Sequence, residues 1–92
     1  MAETVDELTV EYKEDDQLLV KQLDKEVLTR GAWSTVMYKY QDLDKKTGEF
    51  GPEKVTIRRY KKSGGVYRYQ SKFNISGEKQ AKQIAEVLGK WF

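Results

Sequence analysis

Lys54, Arg58, Arg59, Lys61, Lys62, Arg68 and Lys72 fall within one stretch of chain that contains no acid. A run of cations with nothing to balance it attracts polyanions, and it releases their counterions on binding. The first 26 residues have the opposite character, with nine acids against three bases. The whole-chain charge of +2 hides this division. There is no Cys and no His, which removes thiolate nucleophiles, imidazole acid–base chemistry, disulfides and Cys/His zinc sites together. No other constellation takes their place. Asp42-Leu43-Asp44 ahead of Gly48 and Glu49 has the composition of a calcium loop. It lacks the ligand spacing, and Lys45 and Lys46 sit inside it. Ser63-Gly64-Gly65 is followed by no phosphate-loop pattern. No carboxylate pair stands out for general acid–base work. The expected protein is therefore a non-catalytic binder with no metal and no cofactor.

The elements that must carry the cations read mostly as strands. Residues 1–16 read as an acidic, flexible segment, with a short edge strand possible where Leu8, Val10 and Tyr12 alternate with polar residues. Residues 17–30 form one irregular strand or a hairpin. Trp33–Asp42, rich in β-branched and aromatic side chains, is a strand. Asp44–Pro52 holds two glycines and the sole proline, which marks a long hairpin loop. Lys54–Lys62 and Val66–Ile75 are strands joined through Gly64-Gly65, since paired glycines supply the positive φ angles of a tight hairpin. After Ile75 the period changes. Ser76 is a candidate N-cap. Ala81, Ile84, Ala85, Leu88, Trp91 and Phe92 recur at three- and four-residue spacing along one helix face.

The expected fold is α+β: a four-stranded antiparallel sheet with one C-terminal helix, as a single domain over residues 17–92. One helix covers one face of a sheet, so the other face meets water or a partner. Side-chain alternation sorts the residues. Tyr67, Tyr69, Ser71, Phe73 and Ile75, with Val55 and Ile57, are expected beneath the helix. The uncovered face should then present Lys39, Arg58, Lys62, Arg68 and Lys72 for phosphates. Trp33, Tyr38 and Tyr60 would stack bases. Cations interleaved with aromatics suit single-stranded DNA or RNA, bound with little sequence preference. Lysine on the water side of a sheet also has an ordinary use, because it blunts edge-to-edge aggregation. A protein-interaction module, docking through a sheet edge or the Trp91/Phe92 helix end, is the alternative.

The order of four strands and a helix resembles the single-stranded-DNA-binding transcriptional regulators: the positive transcriptional coactivator family, the Whirly proteins and the Pur-alpha repeats. Val36–Asp42, the Lys45–Pro52 hairpin and Lys72-Phe73-Asn74-Ile75-Ser76 leading into the helix are similar in character to the coactivator family. This chain carries an additional basic hairpin, Lys54 to Ile75, in place of one short strand. The resemblance implies a homodimer formed through the helices, with the sheets binding single strands. The chain also looks like a small bacterial protein. No apolar run approaches the ~18 residues of a membrane span, and the N-terminus is acidic, so a cytoplasmic protein is expected.

Overall fold

The alternating runs pair, over residues 4–92 described by a computed structural model, as an antiparallel sheet curled into a half-barrel and followed by one helix. The strands are β1 (Tyr12–Glu14), β2 (Gln17–Thr29), β3 (Trp33–Asp44), β4 (Glu49–Phe50), β5 (Lys54–Ser63) and β6 (Val66–Ile75), and the helix is α1 (Glu78–Trp91). Their order across the sheet is β1-β2-β3-β5-β6, with β4 paired to the end of β3. The α+β class stands, but there are six strands rather than four. The two additional ones arise from local turns. Asp15 and Asp16 take φ of 50° and 64°, closing β1 on β2 with Glu14 opposite Gln17; aspartate tolerates this left-handed region better than most residues. In the expected long loop, Gly48 at φ 75° returns the chain so that Glu49 and Phe50 pair with Asp44 and Leu43.

Residues 17–29 form one irregular strand, not a hairpin. Its register against β3 shifts between Gln22 and Asp24 and again between Val27 and Thr29. Leu23 and Leu28 are the extra residues, and both side chains are exposed. Each bulge reverses which face the following residues meet. The first turns Lys25 onto the same face as Tyr38, its ladder partner.

That face holds the core, and the element covering it comes from the segment expected to be a solvated tail. Residues 5–10, the strap, run from a 3-10 turn at Val5–Glu7 across the face shared by Val36, Tyr38 and Tyr60. Val5, Leu8 and Val10 are buried with them, and Val20, Val27, Tyr40 and Tyr67 pack around the edge. Lys25 pins the strap. Its Nζ donates to the carbonyls of Val5 (2.8 Å), Asp6 (3.1 Å) and Leu8 (2.7 Å). Burial lowers its pKa from the ordinary lysine value; Asp6 pulls it up and Arg30 down again. The strap is also held by Arg30 on Asp6 at 3.2 Å, and by Gln22 Oε1, which accepts from Thr9 Oγ1 and the Val10 amide. The start of the expected flexible segment, residues 1–3, lies outside the described residues.

The helix does not cover the opposite face as expected. It forms where the stripe predicts, and its first turn is closed by Gln80, whose Oε1 accepts from the Ser76 amide and hydroxyl, rather than by Ser76 capping the helix amides. Only Gln80, Ala81 and Ile84 are half-buried along it. Val87, Leu88, Trp91 and Phe92 are exposed. Phe73, expected beneath the helix, is 55% exposed. The reason is direction: the chain leaves β6 at Ile75, and α1 lies over one end of the sheet, near Lys39, Glu53 and Val55, with which it encloses a groove of about 400 Å³. The face bearing Met37, Val55, Ile57 and Phe73 is here called the open face.

Candidate nucleic-acid interface

The β5–β6 hairpin is built by Gly64 and Gly65, at φ of 61° and 82°, between the paired Ser63 and Val66. Its tip is anchored to the β2–β3 turn. Tyr67 Oη donates to the Gly31 carbonyl at 2.8 Å, and the Lys62 amide donates to the Ala32 carbonyl at 2.7 Å. Gly31 itself sits at φ 139°, a conformation that side-chain-bearing residues rarely adopt, and its carbonyl also accepts from Ser34 Oγ. Together these contacts place Trp33, two residues on, beside the hairpin.

Ladder partners share a face, so the pairing assigns every side chain. On the open face Trp33 lies opposite Lys61, and Lys61 lies opposite Arg68. The Arg59 guanidinium stands 4.8 Å from the Trp33 ring centre and Lys61 Nζ 5.4 Å. Trp33 is 45% exposed. On the strap face Arg58 lies over Tyr69 and Lys62 over Tyr67, each at 5.6 Å. Arg58 is the direct partner of Lys72.

The eight residues expected on a single surface are thus divided between two. Trp33, Lys39 and Arg68 belong to the open face; Tyr38, Arg58, Tyr60, Lys62 and Lys72 belong to the strap face. Trp33 and Lys39 stand opposite Tyr38 by the plain alternation of β3, and Arg68 is moved by a bulge in β6. Arg59 pairs with Ser71 but Tyr60 pairs with Tyr69, leaving Gln70 as the extra residue. Past it the alternation reverses, so Arg68 crosses to the open face while Tyr67 and Tyr69 cross to the strap face. Tyr38 and Tyr60 need a second correction. They are 1% and 5% exposed, with hydroxyls 3.1 Å apart, so neither ring is available to stack a base. Burial, and then the hydrogen bond to Tyr60, raises the Tyr38 pKa far above the ordinary tyrosine value. Sequence reasoning missed Arg59 and Lys61. Parity had assigned both to the side of Val55 and Ile57, which was expected to be covered.

Ion pairing separates the cations further. Lys39 is held by Glu53 at 3.0 Å and Lys54 by Asp42 at 3.1 Å. Arg58, Arg59, Lys61, Lys62, Arg68 and Lys72 have no carboxylate within ion-pair distance among the described residues. Also among the described residues, no helix is long and apolar enough to cross a membrane, and no group of three or more acidic, His or Cys side chains could hold a metal ion. Comparison with family models, curated proteins and solved structures finds no match for the chain.

Proposed function

We propose that this chain is a non-catalytic binding protein that takes single-stranded DNA or RNA, with little sequence preference, on the open face around the hairpin. The observation that carries the proposal is the exposed Trp33 ring with Arg59 and Lys61 beside it and Arg68 next across the ladder from Lys61, three cations with no acidic partner among the described residues. Phosphates would lie along the cations, and a base would stack on Trp33 for about 1–3 kcal/mol. Lys62 at the hairpin tip would add charge, while Lys39 would have to exchange Glu53 for a phosphate.

The test is fluorescence anisotropy of a labelled single strand and the matching duplex at several salt concentrations. Each phosphate contact to a single strand contributes about 0.7 to the slope of log affinity against log salt. Replacing Arg59, Lys61 and Arg68 by alanine should lower that slope by about 2 and weaken binding on the order of 100-fold near 0.1 M salt. An unchanged slope in a variant with the wild-type circular dichroism spectrum would refute the site.

A second reading, a protein-interaction surface whose occupant is another copy of this chain, is favoured by the helix. Leu88 is 48% exposed, Trp91 71% and Phe92 101%, an apolar stripe that none of the described residues covers. Isologous packing of two such stripes would bury the same residues on both copies, and a chain this small gains stability from such an interface. Leu88→Lys should then convert a dimer to a monomer in sedimentation. A wild-type chain that sediments as a monomer would dispose of this reading.

A further inference from the structure

The strap face carries a cavity that neither proposal uses. It measures about 260 Å³ and lies between the sheet and Val10 of the strap. Arg58 and Lys72 both line it. They are direct cross-strand partners, an arrangement in which like charges repel. No ion pair relieves either of them among the described residues. The carboxylate of Asp42 also lines the cavity, but Lys54 already holds it at 3.1 Å. The Nε of Arg58 is buried and has no hydrogen-bond partner among the described residues. A ligand in the cavity would meet the guanidinium at its terminal nitrogens, because Nε is too enclosed for a water-sized atom to reach. Asn74 adds a donor: its Oδ1 accepts from Thr56 Oγ1 at 2.7 Å, which leaves the amide N–H groups free to donate.

We infer that this cavity is a binding site for a phosphomonoester, held by Arg58, Lys72 and Asn74. Two uncompensated cations match a group carrying close to two negative charges at neutral pH. A guanidinium presents paired donors in the geometry that phosphate oxygens accept. The volume lies below the ~300 Å³ at which drug-sized pockets begin, so the part of the ligand that enters beside the phosphate is small. Val10 forms one wall, so occupancy and docking of the strap support each other. The site lies on the opposite face from Trp33 and stands independently of the single-strand proposal.

The test is a titration followed by the Arg58 Nε–H resonance of the ¹⁵N-labelled full chain. The probes are inorganic phosphate, glycerol phosphate, and a short oligonucleotide with a 5′-phosphate or a 5′-hydroxyl, with chloride at matched ionic strength as control. A saturable shift with inorganic phosphate or glycerol phosphate supports a free small ligand. A shift with the 5′-phosphorylated strand alone assigns the same chemistry to a nucleic-acid end. Arg58→Gln and Lys72→Gln should each weaken phosphate binding at least about tenfold, whereas Lys79→Gln, on the exposed surface of α1, should leave it unchanged. Because the wild-type resonance is itself a readout, a variant that misfolds does not decide the outcome. A resonance that stays still with every phosphate, or moves only as it does with chloride, overturns the site.

Discussion

Replacing Lys25 with methionine tests how the strap is held. The ammonium donates to three strap carbonyls, two of them partly buried. Removing a charged hydrogen bond costs about 1.5–3 kcal/mol, but three bonds from one ammonium do not add, and the variant recovers the cost of desolvating the charge. Methionine keeps the apolar stem in place. The net loss should be about 2 kcal/mol. Burial of Val5, Leu8 and Val10 contributes about 1.5–3 kcal/mol for each side chain. Fixing the strap backbone costs about 1–2 kcal/mol per residue, which nearly cancels that gain. Strap docking is therefore close to balanced without Lys25, and a loss of about 2 kcal/mol would reduce the docked population about 30-fold relative to the undocked. Hydrogen exchange reads this directly. The Leu8 amide, bonded to the Val5 carbonyl, and the Val10 amide, bonded to Gln22, should exchange about 30-fold faster. Amides in the β3–β5 ladder should be less affected, and the urea midpoint should fall. Unchanged exchange at Leu8 and Val10 would show that packing alone holds the strap, and the reasoning would fail.

Tyr38→Phe removes one half of a buried hydroxyl pair and should cost about 1–2 kcal/mol in urea unfolding at neutral pH. The pH dependence has a definite sign. Because the folded Tyr38 pKa is raised, the stability this group contributes is fully present below the ordinary tyrosine pKa of about 10 and is lost as pH rises above it. Wild-type unfolding midpoints should therefore fall more steeply above about pH 10 than those of Tyr38→Phe, and parallel curves would contradict the burial argument. Gly31→Ala has room for its methyl group, whose nearest neighbour would be the Trp33 carbonyl at 3.9 Å, but the backbone stays at φ 139°. Thermal unfolding should show a loss of about 1–3 kcal/mol, and the Trp33 fluorescence should change as the turn relaxes.

The amino-acid sequence was enough for whatever depends on neighbours along the chain. Alternation at Trp33–Asp42 and Val66–Ile75, the Gly64-Gly65 turn and the Ala81–Leu88 stripe each specify an element locally, because backbone sterics and side-chain period act within a few residues. The acid-free block from Lys54 to Lys72 was legible for the same reason. The face each cation meets was not. Three bulges, at Leu23, Leu28 and Gln70, each reverse the alternation that parity arguments assume, and nothing in those residue types announces a bulge. Leu8 and Val10 alternate with polar residues, but Val5 falls outside that alternation and the surrounding acids make the segment read as a tail. Their role depends on Val36, Tyr38 and Tyr60, all more than twenty positions away. Once the strap takes that face, Tyr38 and Tyr60 are sealed from solvent, Val10 walls a cavity beside the ladder partners Arg58 and Lys72, and the face holding Trp33, Arg59, Lys61 and Arg68 is left open. Which of two amphipathic surfaces becomes the interior is a property of the whole assembly, because burial is decided by what packs across the sheet and not by the strand that carries the side chain.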